Sequence, residues 1–121
     1  MQEFKLIVAG GRDFNDYDRL SLVLFALADH EFADKEVSII SGMAKGADRL
    51  GYEFAKDIGI PVHKFPADWN TYGKSAGYIR NNQMAEAADG LVAFHDGVSK
   101  GTKNMIETMQ KMHKWVHVVH Y

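Results

Sequence analysis

The chain has 121 residues, of which 46% are hydrophobic and 25% charged, and its 14 basic and 16 acidic side chains give a net charge of −2. This length and composition predict one globular domain over residues 1–121 and exclude a disordered or collagen-like chain. Without cysteine there is no disulfide framework, thiolate metal site or cysteine nucleophile. The near-neutral charge argues against nucleic acid and membrane surfaces as partners.

Targeting and membrane segments are not indicated. The first residues include an acid, Glu3, and lead directly into a short apolar run, unlike the basic start and long apolar core of a signal peptide. No apolar run approaches the roughly 20 residues that span a bilayer. We therefore expect a soluble, cytoplasmic domain.

Apolar runs and apolar periodicity alternate along the chain and predict five strands and four helices. Runs rich in Leu, Ile and Val are typical of strands buried on both faces, and apolar residues at steps of three and four indicate helices with one buried face. Either Asn15 or Asp16 is the candidate cap of the first helix. In chain order we predict a strand at 5–9, a helix after Asp16, a strand at 37–40, a helix from Ala47 that Gly59 ends, a strand at 61–65, a helix at 78–88, a strand at 90–94, a helix around 105–112 and a strand at 115–119.

Strict alternation of strand and helix predicts parallel strands joined by right-handed helical crossovers. This is the three-layer, doubly wound α/β (Rossmann-like) architecture. We predict a five-stranded parallel sheet in the order 3-2-1-4-5, with its switch point between the first and fourth strands. Ligands of such folds bind at the carboxyl edge of the sheet beside that point.

Glycine pairs cluster in three strand-to-helix turns, at residues 10–14, 41–48 and 96–103. The predicted topology places all three turns at the carboxyl edge. There the glycines stand beside hydroxyl or charged side chains, whereas the connections at the opposite edge carry ordinary polar residues and few glycines. This asymmetry predicts a ligand-binding edge.

The turn at 96–103 has the chemistry of a phosphate-binding loop. It opens a helix, so unpaired backbone N–H groups and the positive end of the helix dipole meet the hydroxyls of Ser99 and Thr102 and nearby lysines, including Lys103. Gly101 lets the backbone approach a phosphate closely. The order of residues is not that of a P-loop, and simple capping of the helix is the alternative interpretation.

Cofactor and metal motifs are not found. The turn at 10–12 is too short for the GxGxxG pattern of dinucleotide sites, so we predict no nicotinamide cofactor, and no other cofactor is indicated. His117 lies in the predicted last strand, three residues from His120, so the two side chains point to opposite faces and the histidines predict no metal site. Arg12 either pairs with a phosphate in fork geometry or is a solvated turn residue.

Two further segments offer ligand contacts, each with an alternative. Trp69 or Tyr72 can stack on a base, with Asp68 accepting from its exocyclic amine, while packing of Trp69 over the end of the sheet is equally compatible with the sequence. Arg80 and Asn81 either face a ligand phosphate or lie on a solvated helix face.

Four segments resemble the SLOG superfamily in the same order: VAGGRDF, SGMAKGADRLGYEFA, GYIRNNQMAEAADGLVAFHDG and SKGTKNMI. This Rossmann-like group includes the DNA-processing protein DprA and the LOG cytokinin-activating enzymes, and the chain is most similar to its small stand-alone branch related to YspA. The resemblance covers essentially the whole chain. It implies a nucleotide or nucleoside-derived phosphorylated ligand and a homo-oligomer. By position it implies contacts from Gly10, Gly11 and Arg12, from Gly42, Gly46 and Asp48, from Arg80 and Asn81, and from Ser99, Gly101 and Thr102.

One departure from the family pattern bears on catalysis. Phosphoribohydrolases of the LOG type carry Gly-Gly-x-Gly-Thr-x-x-Glu, but the third residue after Thr102 is Met105. Asp48, Asp96 and Glu107 remain as candidate catalytic carboxylates.

We therefore predict a domain that senses or sequesters its ligand. The alternative is an N-glycosidase that releases the free base from nucleoside 5′-monophosphates. Single-stranded DNA binding, by analogy with DprA, is a third hypothesis, against which the net charge of −2 argues.

Overall fold

Strands and helices alternate along the chain in the computed structural model, which describes residues 1–121, with one extra short helix before the third long one. The longest helix has 13 residues, and no helix is long and apolar enough to cross a membrane. The elements are β1 (Gln2–Gly10), α1 (Tyr17–Asp29), β2 (Lys35–Ser41), α2 (Ala47–Ile58), β3 (Val62–Lys64), α3 (Trp69–Tyr72), a 3-10 turn (Gly73–Ser75), α4 (Ala76–Ala87), β4 (Gly90–His95), α5 (Lys100–Lys111) and β5 (Trp115–His120).

The five strands form one parallel sheet in the order β3-β2-β1-β4-β5. The predicted doubly wound fold and its strand order are thus confirmed. β1 is central and pairs with β2 on one side, where Leu6 faces Ile39, and with β4 on the other, where Val8 faces Val92. Because the chain leaves β1 toward one neighbour and reaches β4 on the other side, the turns after β1 and β4 diverge and leave a crevice at the carboxyl edge.

Two hydrophobic layers cover the sheet, one on each face. Leu6 and Val8 of β1 are buried with residues of α1 and α2, while Ile7 and Ala9 are buried on the opposite face with residues of α4 and α5. Burial on both faces explains why β1 is a continuous apolar run instead of an alternating one. Each large aliphatic side chain that is fully buried contributes about 1.5–3 kcal/mol.

Local signals set the helix ends. The Asp16 carboxylate accepts the Arg19 N–H at 3.0 Å and caps α1, so Asp16 and not Asn15 is the cap. Gly59 ends α2 with a φ of 77°, as the sequence predicted.

The 3-10 turn runs directly into α4, which therefore begins at Ala76, two residues before the predicted start. The helix α3 was not predicted; its cap is Asp68, whose carboxylate accepts the Thr71 N–H at 3.1 Å.

Candidate ligand-binding site

A cavity of about 300 Å³ opens at the carboxyl edge, between the end of β1 and the first turn of α5. The walls are formed by the turn after β1, the start of α2, the segment from α3 into α4 and the first turn of α5. Its lining includes nine residues that the sequence predicted as ligand contacts: Gly10, Arg12, Asp48, Trp69, Arg80, Asn81, Ser99, Gly101 and Thr102.

Three predicted glycines lie behind the wall of this cavity and do not line it. Gly46 has a φ of 93°, and a Cβ atom there would overlap the carbonyl oxygen of Gly11. Gly11 in turn accepts the N–H of Ala47 at 3.2 Å through that oxygen. Gly42 stands between two charged side chains described below. These glycines allow the first and second turns to pack closely, so their role in the structure is to shape the site.

Asp48 is the one carboxylate of the cavity lining and is only 5% exposed. It lies in the first turn of α2, where the hydroxyl of Ser41 donates to its backbone carbonyl at 2.7 Å. Burial raises the pKa of Asp48 to about 6, although the charge of Arg80 and the backbone N–H of Gly10 act in the opposite direction. The carboxyl group therefore titrates close to neutral pH and is able to exchange a proton there.

Arg80 crosses from α4 to the second turn. Its Nη1 donates to the Gly42 carbonyl oxygen at 2.6 Å, and its Nε donates to the Asn81 side chain at 3.1 Å. Burial lowers the pKa of Arg80; the carboxylate of Asp48 opposes this effect, and the positive charge of Arg12 adds to it. The guanidinium stays charged at physiological pH because arginine is not deprotonated in proteins.

Arg12 and Arg80 thus bring two positive charges to the same cavity. The ion pairs with N···O distances up to 4.0 Å in this structure are Lys35 with Asp34 and His95 with Asp96, so neither arginine is paired at that distance. Two positive side chains and a single carboxylate, that of Asp48, in the same lining leave the cavity with a net positive charge, which an anion from solution would stabilise.

The start of α5 forms the opposite wall. Ser99 caps the helix: its hydroxyl accepts the Thr102 N–H at 3.4 Å and lies 3.0 Å from the Thr102 hydroxyl. The backbone N–H groups of Lys100 and Gly101 have no acceptor within the protein, as is usual in the first turn of a helix. Asn81 joins α4 to this turn by donating to the Gly101 carbonyl oxygen at 3.2 Å. Free N–H groups at a helix start are suited to anion binding.

Two candidate catalytic acids lie outside the cavity lining. The Asp96 carboxylate accepts the N–H groups of Val98 at 2.9 Å and Ser99 at 2.8 Å, and these hydrogen bonds lower its pKa. Asp96 thereby holds the turn that leads into α5. Glu107 is exposed on α5, as is the predicted ligand contact Lys103. Of the three candidate carboxylates, the structure brings only Asp48 into the cavity.

The rim of the cavity carries two aromatic side chains and a lysine. Trp69 is 53% exposed and Tyr78 is 50% exposed, and the Trp69 ring passes 3.6 Å from the position of a Cβ atom on Gly77. Lys74, in the 3-10 turn, completes the rim. The sequence had pointed to Trp69 but not to Lys74 or Tyr78. Lys74 and Tyr78 are four residues apart across the junction of the 3-10 turn and α4, and this spacing is the signal that could have indicated a shared face.

Comparisons with known proteins agree with this architecture. A family model for YAcAr, described as the YspA, cpYpsA-related SLOG family, matches residues 4–72, which is more than half of the chain. The Gene 61 protein of Mycobacterium phage D29 is 31% identical over 114 residues, covering 88% of this chain and 89% of the phage protein.

The fold is shared with a solved structure. DNA processing protein A (DprA) from Streptococcus pneumoniae matches with a TM-score of 0.74 and 17% identity over 97% of this chain. The chain spans half the length of that DprA chain. Together with the family model and the phage relative, this match confirms the resemblance in the sequence: the chain belongs to the YspA, cpYpsA-related SLOG family.

Proposed function

We propose that the chain binds a phosphorylated, nucleotide-type ligand in the cavity at the carboxyl edge of the sheet. The observation that carries this proposal is the pair of guanidiniums, Arg12 and Arg80, which line one cavity without a carboxylate oxygen within 4.0 Å. Charge-assisted hydrogen bonds from arginine to phosphate are among the strongest polar contacts in proteins. A phosphate group between the two side chains would relieve their mutual repulsion.

The start of α5 supplies a second set of donors for the same phosphate. The N–H groups of Lys100 and Gly101 have no partner within the protein, and the hydroxyls of Ser99 and Thr102 stand beside them. The helix dipole adds a favourable interaction of about 0.3–1 kcal/mol with an anion at this position. These donors and the two arginines support a phosphate and not a carboxylate, because a phosphate has enough oxygens to engage both walls.

The rim favours a ligand that also carries a planar group. Trp69 and Tyr78 present half-exposed rings at the mouth of the cavity. Stacking of a base on an aromatic ring contributes about 1–3 kcal/mol and does not depend on which base is bound. A cavity of about 300 Å³ lies at the small end of the range of ligand pockets. A nucleoside monophosphate with its base against the rim fits these features.

Calorimetry and ligand-observed NMR with a defined panel test the proposal. The panel contains inorganic phosphate, ribose 5-phosphate, AMP, ADP, adenosine without phosphate and a single-stranded oligonucleotide. We expect AMP to bind more tightly than adenosine or inorganic phosphate, and Arg12→Ala and Arg80→Ala each to weaken AMP binding at least tenfold, since each removes a charge-assisted hydrogen bond.

Arg49→Ala is the matched control, because Arg49 is an exposed arginine of α2 outside the cavity lining. It removes the same charge and should leave affinity within about twofold. Equal binding of AMP and adenosine, or equal loss in all three variants, would overturn the proposal. Tighter binding of the oligonucleotide than of every nucleotide would favour a DNA-binding function.

A second candidate function is hydrolysis of the N-glycosidic bond of a nucleoside 5′-monophosphate, and Asp48 is the observation that favours it. Its carboxyl group lies in the cavity, and burial raises its pKa to about 6. A carboxylate in such a place can stabilise an oxocarbenium-like centre or activate water. Water would add across the bond to give ribose 5-phosphate and the free base.

Incubation with the common nucleoside 5′-monophosphates, followed by chromatography for free base, decides between binding alone and hydrolysis. If the chain is a hydrolase, Asp48→Asn abolishes turnover while AMP still binds, and Glu107→Gln, on the exposed side of α5 outside the cavity lining, retains it. No free base from any of the common nucleotides would exclude this second function for those substrates.

A further inference from the structure

Tyr121, which follows β5, reaches across the sheet edge to the first turn. Its hydroxyl donates to the Asp13 carboxylate at 2.5 Å, and a Cβ atom on Gly11 would overlap the same hydroxyl oxygen. Gly11 and Asp13 are the two chain neighbours of Arg12. One phenol group therefore contacts the residues on both sides of the arginine that faces the cavity.

Tyr121 is itself held in place by its backbone and by its ring. Its backbone N–H donates to the His95 carbonyl oxygen at 3.1 Å, which continues the pairing of β4 with β5. Its ring packs edge-on against Phe14, with centroids 4.9 Å apart. Burial and the neighbouring Asp13 raise the pKa of Tyr121, so the phenol is protonated and remains a donor at neutral pH.

We propose that Tyr121 is a positioning residue for Arg12: its hydrogen bond to Asp13 and its contact with Gly11 hold the first turn so that the guanidinium faces the cavity. The other restraints on this turn act on its backbone and not on the Arg12 side chain. Gly11 donates to Phe94 and accepts the N–H groups of Phe14 and Ala47 at 3.2 Å each, while Arg12 is exposed and has no side-chain hydrogen bond of its own. Without Tyr121, Arg12 keeps its charge but loses its fixed direction, and a fixed direction is what fork geometry toward a phosphate requires.

This inference rests on the proposed anion site, so the test measures the stability of the turn and the affinity of the site separately. The stability of the turn is measured by native-state hydrogen exchange of the Phe14 and Ala47 amides, both of which donate to Gly11. In Tyr121→Phe, which keeps the ring and removes the hydroxyl, we expect these two amides to exchange about tenfold faster, as for loss of one hydrogen bond to a charged group.

The affinity of the site for inorganic phosphate is measured by an NMR titration that follows the side-chain Nε–H signals of Arg12 and Arg80. Tyr121→Phe should raise the phosphate Kd about fivefold in the wild-type background. In an Arg12→Ala background, Tyr121→Phe should have no effect on the Kd, because the Arg12 side chain that Tyr121 positions is absent. A general loss of stability would not produce this dependence on Arg12.

Tyr17→Phe is the matched control. It also removes a tyrosine hydrogen bond of 2.5 Å to an aspartate, that of Tyr17 with Asp57, but between α1 and α2 and outside the cavity lining. We expect it to leave both readouts unchanged.

The possible results separate the two proposals. Unchanged exchange in Tyr121→Phe, or an equal rise of the phosphate Kd with and without Arg12, would overturn the positioning role. If phosphate shifts neither arginine signal in the wild-type protein, the proposed anion site fails, and the exchange rates of Phe14 and Ala47 still decide whether Tyr121 holds the turn.

Discussion

The Asp48 carboxyl group and the Arg80 guanidinium flank the position that a Cβ atom on Gly42 would take. That position lies 2.7 Å from Asp48 Oδ2 and 2.6 Å from Arg80 Nη1. Arg80 also donates to the Gly42 carbonyl oxygen at 2.6 Å. Glycine suits this position of the second turn because charged groups from α2 and α4 occupy the space that a Cβ atom would take.

Gly42→Ala should displace the Arg80 guanidinium and weaken phosphate binding about tenfold, because the hydrogen bond that orients this side chain is lost. The end of a flexible arginine moves more easily than backbone, so we expect the free energy of unfolding to fall by only about 1 kcal/mol, at the low end for added volume. Phosphate titration and urea denaturation measure the two effects. Undiminished affinity with a displaced Arg80 would show that Arg80 does not contact the anion.

The raised pKa of Asp48 predicts an unusual dependence of stability on pH. Its pKa is about 6 in the folded protein against an ordinary value of 3.8, so between these values the folded state holds a proton that the unfolded chain has released. The stability that this group contributes is present below about pH 4 and is lost as the pH rises through about 6. The difference in pKa corresponds to about 3 kcal/mol.

Urea denaturation of the wild-type protein and of Asp48→Asn at several pH values measures this effect. Between about pH 4 and pH 8, the wild-type protein should lose about 2–3 kcal/mol of unfolding free energy relative to Asp48→Asn. Asp34→Asn, at a side chain that is 81% exposed, controls for loss of a negative charge. Parallel pH profiles of Asp48→Asn and the wild-type protein would mean that Asp48 ionises at an ordinary pKa.

The fold was predictable because its strongest signals are local. Continuous apolar runs mark the buried strands, and strict alternation with helices leaves little choice of topology. The short helix α3 was missed because its first turn depends on one cap, Asp68, in a segment with no apolar periodicity. The predicted strand at 61–65 is one residue shorter at each end, and Pro61 lacks the N–H that strand pairing would use.

The candidate site was predictable at the level of the sheet edge and less so at the level of side chains. Glycine-rich turns indicated which edge carries the cavity, and Arg12, Ser99 and Thr102 follow from their places in those turns. Contacts between distant parts of the chain could not be deduced. The bond from Arg80 to Gly42 joins residues 38 apart, and that from Tyr121 to Asp13 joins residues 108 apart.

Lys114 is a further long-range contact that the sequence did not indicate, and it predicts a loss of stability on substitution. Its ammonium group donates to the carbonyl oxygens of Ala85 at 2.6 Å, Glu86 at 3.2 Å and Ala88 at 2.7 Å, at the end of α4. A positive charge there satisfies carbonyls that have no partner within the helix and interacts favourably with the helix dipole.

Lys114→Met keeps most of the aliphatic side chain and removes these bonds, so the free energy of unfolding should fall by about 1–3 kcal/mol. Lys45→Met, at an exposed lysine without a hydrogen bond, should change it by less than about 0.5 kcal/mol. Chemical denaturation of both variants measures the difference. If the two variants are equally stable, water satisfies the three carbonyl groups as well as Lys114 does.

Gly101→Ala should separate stability from binding. Gly101 lies in the first turn of α5 and lines the cavity, and a Cβ atom on it meets no atom within 4 Å. Alanine is a better helix former than glycine, by up to about 1 kcal/mol in a helix interior, so we expect a small gain in the free energy of unfolding. The new methyl group would occupy the space through which a phosphate approaches the backbone N–H groups, so phosphate affinity should fall severalfold.

Glu107→Ala, on the exposed side of the same helix, is the control and should leave affinity unchanged. A stabilised Gly101→Ala protein that binds phosphate as tightly as the wild type would mean that the anion lies away from the start of α5.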